Sequence, residues 1–375
     1  MIRIIHIITS LGDGGAEHTL FKICKYDTSN KHIVISLTGK GKYTKLLKKI
    51  GIEVYNLKMN FFSIYKFFYL IKLLYNLKPE IVQTWLVHAD LLGGIAAKII
   101  GIQNIIWNAR HSTVEIGKTK FSTILIIKLL AKLSFLIPKL IIVCSKSSKK
   151  VYENDGYIKK KLKMILNGYD LSVLNINGYQ KDIFRKKNKI NKNISIIGNV
   201  ARYDPQKDHF NLLNALSIIK KKKIDFFCVL VGTNIKRNRE IIKKIKNLGL
   251  STQVKLLPQT NNIPQVMNGI DIHIQSSSYG EGFPNVIAEA MACGTPCIVT
   301  DVGDAAFIVK NNGWVVPPSN SIKLAESIEK ALVQTNAKNW KKRCNEARLI
   351  IKKNFDISKM INSYTKLWNQ VHNSK

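Results

Sequence analysis

A chain of 375 residues that is 46% hydrophobic is long enough for two domains with separate cores, which excludes a disordered or fibrous protein. Its 59 Lys and Arg against 24 Asp and Glu give a formal charge of +35, part of it consistent with a coding bias toward Lys, Asn and Ile. Such a field attracts phosphorylated substrates, anionic membranes or nucleic acid, but no helix-turn-helix, zinc-finger or aromatic RNA-binding motif is present, so no nucleic acid partner is expected.

Strands and helices alternate from the start. Residues 2–8 read as a buried strand, too short for a signal peptide. The loop Thr9-Ser10-Leu11-Gly12-Asp13-Gly14-Gly15 follows, then a helix from Ala16. Gly14 and Gly15 would let a phosphate or sugar approach the backbone; a tight turn is the plainer reading, and the dinucleotide fingerprint is not matched. Further strands are expected at 32–37, 54–57, 81–85, 105–108 and 140–145, with helices at 43–50, 61–77 and 89–100. In the helix at 61–77, Ile64, Phe68, Ile71 and Tyr75 form one stripe, while the other side carries Phe62, Tyr69, Leu70 and Leu73. A helix apolar nearly all round is expected in the core, with membrane-interface contact as the second reading. After the strand at 105–108 comes Arg110-His111-Ser112, where open α/β sheets gather functional side chains, so His111 is a candidate site residue against the alternative of a surface histidine. The apolar run 121–137 is at the lower length limit for spanning and is interrupted by Lys128 and Lys132; peripheral contact with an anionic membrane surface is expected instead.

Residues 171–193 lose hydrophobic periodicity and read as a linker to a second domain that begins with a strand at 194–200. Asp204 can N-cap a helix with Pro205 at its first position, so Arg202 and Lys207 would flank a helix N-terminus. A planar donor fork and a mobile point charge suit a diphosphate, although in a chain this basic both could be solvated surface. Strands at 225–232, 254–257, 270–275 and 297–300 follow, with helices at 239–248, 321–333, 339–353 and 357–372. Between the strand at 270–275 and Gly294 lies Tyr279-Gly280-Glu281-Gly282-Phe283-Pro284-Asn285-Val286-Ile287-Ala288-Glu289, a glycine loop opening into a helix with Pro284 at its first position. Free N–H groups and the positive dipole end favour an anion there, and two bracketing carboxylates can accept hydrogen bonds from sugar hydroxyls. The pattern suggests a nucleotide-sugar site; a capped core helix is the bland alternative. Cys293 and Cys297 lack a second ligand pair and read as structural, and the six cysteines fit a reduced cytosolic protein.

The spacing Glu281-x7-Glu289 with Gly282, Phe283, Pro284 and Asn285 between resembles the E-x7-E element of GT4-type retaining glycosyltransferases. The Gly14-Gly15-Ala16-Glu17 loop, the run Trp107 to Ser112, the Asn167-Gly168 turn and the pair Arg202 and Lys207 are similar to segments of that family; Asp304-Ala305-Ala306 departs from it where many members carry a Glu. The resemblance implies an α/β, GT-B architecture of two Rossmann-like domains with a substrate cleft between them: residues 1–175 with a returning helix at 357–375, and a nucleotide-sugar-binding domain at 190–356. It implies a retaining hexosyltransferase with no cofactor beyond its co-substrate, a UDP- or GDP-sugar; no Asp-x-Asp site is evident at a strand end, so no required metal is expected. Arg202 and Lys207 would meet the donor diphosphate and Glu289 the ribose, while Glu281 and His111 would act on the sugar, with Gly14, Gly15, Gly282, Phe283, Pro284 and Asn285 also donor-binding. The implied acceptor is a lipid-linked or lipopolysaccharide glycan, in O-antigen or capsule synthesis. The implied location is cytoplasmic, peripheral at the inner face of the cytoplasmic membrane. The alternatives are a nucleotide-sugar epimerase of the same architecture and a non-catalytic basic protein that binds polyanions or membranes.

Overall fold

The structure is a computed structural model that describes residues 1–60, 64–110, 121–191 and 193–374. The chain forms two compact units, Met1–Gly168 with Ile357–Lys375, and Tyr169–Asp356.

In the first unit β1 (Arg3–Ile8), α1 (Gly15–Tyr26), β2 (Lys31–Ser36), α2 (Lys42–Lys49), β3 (Glu53–Asn56), α3 (Ile64–Leu77), β4 (Ile81–Trp85), α4 (Val87–Ile99), β5 (Ile105–Ala109), α5 (Phe121–Leu133), β6 (Leu140–Val143), α6 (Lys146–Asn154) and β7 (Leu162–Met164) alternate. The strands pair in parallel in the order β3-β2-β1-β4-β5-β6-β7. A parallel sheet is buried on both faces, which is why β1 is a run of isoleucines and not an alternation. Its odd-numbered side chains, Ile5 and Ile7, pack with α3, α4 and α5; the even-numbered Ile4 and Ile8 pack with α1 and with the last helix of the chain. Between β1 and that last helix a hydrogen-bond chain is buried. Trp85 Nε1 donates to His6 Nδ1 (3.2 Å), His6 Nε2 meets His32 Nδ1 (3.0 Å), and His32 Nε2 meets Asp27 Oδ2 (3.1 Å). His6 and His32, with Cys24, are the group of potential metal ligands among the described residues, but every ring nitrogen of the two histidines is already engaged within the protein.

The second unit holds α7 (Gly178–Asn188), β8 (Ile196–Val200), α8 (His209–Lys221), β9 (Phe227–Gly232), α9 (Arg239–Asn247), β10 (Val254–Pro258), α10 (Ile263–Gly269), β11 (Ile272–Gln275), α11 (Asn285–Ala292), β12 (Cys297–Thr300), α12 (Ala305–Val309), β13 (Trp314–Val316), α13 (Ser321–Thr335) and α14 (Trp340–Phe355). Its six parallel strands run β10-β9-β8-β11-β12-β13, which repeats the winding of the first sheet. The chain then returns to the first unit as α15 (Ile357–Asn373). There Trp368 Nε1 donates to Gln83 Oε1 (2.7 Å), and the Tyr364 hydroxyl lies 2.8 Å from Asn108 Nδ2 and 3.0 Å from Arg110 Nη2.

Two expectations are corrected. Residues 171–193 are not a linker. Asn177 caps α7 by accepting from Gln180 N, Phe184 packs against Gly269, and buried Arg185 pairs with Asp271 (2.6 Å) while bonding two carbonyls. A helix that carries its core contacts on so few residues leaves no periodicity to read. The stripe of α3 does not point inward: Ile64, Phe68 and Tyr75 are 74%, 63% and 68% exposed, and Leu70, Leu73 and Leu74 take the core. Where both sides of a helix are apolar, the pattern cannot say which side is buried. The apolar run at 121–137 is helical only to Leu133, and among the described residues no helix is long and apolar enough to cross a membrane.

Candidate functional site

In an open parallel sheet, loops leaving the strands diverge where the winding reverses, and the crevice at the C-terminal strand ends there binds ligands. In the second unit that point lies between β8 and β11, which are hydrogen-bonded neighbours. The loop after β8 carries Arg202 and Lys207, and the loop after β11 carries Glu281.

The first loop is tighter than expected. Asp204 accepts from Gln206 N (3.0 Å) and caps only the short turn Pro205–Lys207. Asp208, at φ +44°, caps α8 by accepting from Asn211 N (3.1 Å). The left-handed backbone at Asp208 reverses the chain, so the single helix expected from Asp204 is split in two, and an Asp tolerates that φ because its short side chain bonds locally. Arg202 is 59% exposed and pairs with its neighbour Asp204 (3.0 Å), a contact of surface strength. Lys207 is different. Its ammonium forms an ion pair with Glu281 Oε1, and the two side chains are only 18% and 9% exposed.

Glu281 is held firmly. Ser277 Oγ donates to its Oε1 at 2.6 Å and Gln275 Nε2 at 3.4 Å. Ser276 Oγ donates to Lys207 O (2.8 Å) and Ser278 N to Gln206 O (2.9 Å), so the two loops are laced together beneath the ion pair. Thr300 at the end of β12 steadies Ser277 by donating to its carbonyl (2.6 Å). Gly303, at φ +63°, closes the other side: a Cβ there would lie 2.3 Å from Glu281 O, and the next residue, Asp304, donates its N–H to Gly282 O (2.9 Å). Only glycine combines that φ with that approach. The segment 301–304, whose departure from the family pattern left its role open, therefore serves as the backing of the Glu281 loop.

Pro284 is the N-cap of α11 and not its first residue; Asn285 opens the helix. Asn285 Oδ1 accepts from the Tyr169 hydroxyl (2.6 Å), which fixes the helix start. Phe283 turns inward onto the ring of Phe355 (5.5 Å between centroids), so it offers a ligand little but its backbone. Glu289 lies one turn into α11 and is half-buried. Beside Lys207, the ring of His209 is buried with neither nitrogen hydrogen-bonded; burial and then the Lys207 charge push its pKa down to about 4. Sequence reasoning missed Gln275, Ser277, Thr300, Gly303 and His209. The run Ser276-Ser277-Ser278 directly after a strand was the available signal; nothing local marked the others.

In the first unit the winding reverses between β1 and β4. Gly14 is the N-cap of α1 and Gly15 its first residue, so the glycine loop does run into a helix N-terminus. Arg110 is not a surface cation. It bonds Asn108 Oδ1 (2.7 Å), Asn167 Oδ1 (2.7 Å) and the Tyr364 hydroxyl (3.0 Å) and stacks over Trp85. His111 lies outside the described residues.

Residues 180–348 match the family model of the glycosyl transferases group 1. The chain is 27% identical over 245 residues to the UDP-Gal:alpha-D-GlcNAc-diphosphoundecaprenol alpha-1,3-galactosyltransferase of Escherichia coli, across 64% of this chain and 63% of that one. It is 25% identical over 337 residues to the N,N'-diacetylbacillosaminyl-diphospho-undecaprenol alpha-1,3-N-acetylgalactosaminyltransferase of Campylobacter jejuni, across 85% and 87% of the two chains. Of two curated relatives that it matches, the chain spans only 56% and 63% of the length. Its fold superposes on the crystal structure of Anabaena Alr3699/HepE in complex with UDP with a TM-score of 0.86 at 22% identity, covering 98% of this chain and 100% of that one. Residues 180–348 of this chain are thus similar to the group 1 glycosyl transferases, and the fold that carries them is of the GT-B kind, two Rossmann-like α/β domains.

Proposed function

We propose that the protein transfers a hexose from a UDP- or GDP-sugar to a lipid-linked glycan acceptor in surface polysaccharide synthesis, with retention of the anomeric configuration. The observation that carries the reading is the shielded Lys207–Glu281 pair at the switch point of the second sheet. A nucleotide sugar presents a diphosphate and a ring of hydroxyls one bond apart, and a cation beside a carboxylate matches both. Lys207, joined by Arg202 and the N–H groups opening α11, neutralises the charge that grows on the departing diphosphate. Glu281, acceptor-only and fixed by Ser277, orients the donor sugar through its hydroxyls. Glu289 accepts from the ribose hydroxyls. By the family resemblance, His111 acts on the donor sugar, and Gly14 and Gly15 bind the donor. The charge on the diphosphate is met by protein cations, so turnover needs no divalent metal and survives a chelator.

The names of relatives that act on diphosphoundecaprenol-linked sugars support a lipid-linked acceptor, and the +35 charge supports peripheral residence at the inner face of the cytoplasmic membrane. The test is to incubate the protein with a panel of UDP- and GDP-hexoses and a lipid-linked acceptor, and to read the product by NMR. A new glycoside with the donor's anomeric configuration, formed in the presence of chelator, is the expected result. Release of a free epimer without any acceptor would establish the epimerase instead.

A further inference from the structure

The first unit carries a groove of 690 Å³ on the outer face of its sheet. Its floor is α4, through Leu92 and Ile95, and its walls are Phe67 of α3 and Ile126 of α5, the two helices that pack on either side of α4. One end is polar. Thr9, directly after β1, and His88, in the first turn of α4 after β4, line it, so this end lies at the point where the first sheet's winding reverses. The buried Thr9 hydroxyl oxygen has no hydrogen-bond partner within the protein. Leu86, between β4 and His88, holds φ at +72°, a conformation rare for a side chain of its size and one that accumulates at functional loops.

The two helices that wall the groove are equally one-sided in chemistry. On α3, Ile64, Tyr65, Phe68 and Tyr69 are 52–74% exposed, and on α5 Phe121, Leu125 and Leu129 are 45–74% exposed. The charged residues of these two helices are Lys66, Lys72, Lys128 and Lys132; neither helix has an acid. A concave apolar channel with a hydrogen-bonding end, walled by helices whose only charges are lysines, is complementary to a molecule that is a hydrocarbon chain at one end and an anion or sugar at the other. A flat bilayer would need no groove.

We infer that the α3–α4–α5 groove holds the isoprenoid chain of the lipid-linked acceptor, with the acceptor's polar head at the Thr9–His88 end. The inference rests on the lipid-linked acceptor proposed above. Apolar walls on three sides remove the chain's first isoprene units from water, and the long lysine side chains of α3 and α5 reach toward the phosphates.

The test fills the groove from opposite sides with Leu92→Trp and Ile126→Trp, both at half-buried positions where added bulk enters the groove before it enters the core. Farnesyl diphosphate is the probe for the chain and inorganic diphosphate the control for the head. Farnesyl diphosphate is expected to raise the melting temperature of the native protein and to lose that effect in both variants, while inorganic diphosphate does not distinguish the three proteins. In transfer assays the KM for the lipid-linked acceptor is expected to rise roughly tenfold, the equivalent of exposing about two methylene groups, with donor hydrolysis and transfer to a lipid-free acceptor unchanged. Equal stabilisation of all three proteins by farnesyl diphosphate would overturn the inference. So would variants that lose binding to phosphatidylglycerol vesicles yet keep the native KM, because the face would then be a membrane contact and not a chain site. If no sugar is transferred by any of the proteins, the proposed activity fails, and the farnesyl diphosphate arm still decides the groove.

Discussion

The two sheets wind alike, and their switch points are chemically opposite. Between β8 and β11 the loops offer a shielded ammonium and a carboxylate, laced by three serines and backed by Gly303. Between β1 and β4 they offer glycines, Thr9 and His88 at the end of an apolar groove. The outer helices differ in the same sense. On α9 the buried side is Ile241 and Ile245 and most of the rest is charged, whereas α3 and α5 show aromatic and aliphatic side chains to solvent. The winding is set by strands buried on both faces, so it leaves strand ends and outer helix faces free to diverge. One frame thus carries a polar, charge-paired site in one unit and an apolar one in the other.

The sharpest way to break this contrast is at the charged switch point. Glu281→Gln and Lys207→Ala should each lower turnover by about 10²–10³-fold, as loss of a transition-state contact does, with melting temperatures within a few degrees of the native protein. Turnover near native in both would remove the site from the second unit. Gly303→Ala comes next. The added Cβ would press on the Glu281 carbonyl in a backbone region unsuited to alanine, so a loss of about 1–3 kcal/mol in denaturant unfolding should accompany reduced turnover.

A pH-dependent effect contrasts the buried histidines. His6 sits in a satisfied hydrogen-bond chain, while His273 on β11 is buried with neither ring nitrogen paired, and burial lowers its pKa to about 3. The unfolded chain takes up this proton near pH 6.5 and the folded chain only near 3. The stability tied to His273 is therefore complete above 6.5 and is lost as pH falls toward 3, by about 1.4 kcal/mol per unit. His273→Leu should flatten the pH dependence of unfolding by that amount. The native-minus-variant difference separates it from Asp90, whose burial raises its pKa to about 7 and acts in the opposite direction. An unchanged slope would mean that His273 is protonated in the fold. The smallest effect belongs to the α3 rim: Phe68→Ser with Tyr75→Ser should change stability by less than about 0.5 kcal/mol, because both side chains already face solvent. A large loss in thermal unfolding would return that stripe to the core.

Much of the charged site was legible because it is local. Glu281, Glu289, Pro284 and the glycines lie within one strand–loop–helix passage, where loop chemistry and helix-start signals are written in consecutive residues. Lys207 was legible as a cation after a strand, but its pairing with Glu281 spans 74 residues and depends on β8 lying beside β11. Arg202 carried the same signal and turned instead to Asp204, since local spacing cannot rank two cations by their distant partners.

By itself the sequence determined the alternation of strands and helices, the buried character of the strands, and the glycine loop that opens into α11, because each follows from short-range pattern and backbone chemistry. The tertiary structure alone decided which side of α3 is buried, that 171–193 holds a helix, that Gly303 supports Glu281, and that α3, α4 and α5 enclose a groove. These depend on which surfaces meet across long separations in the chain, and packing against a neighbour, not the periodicity of one element, sets that choice.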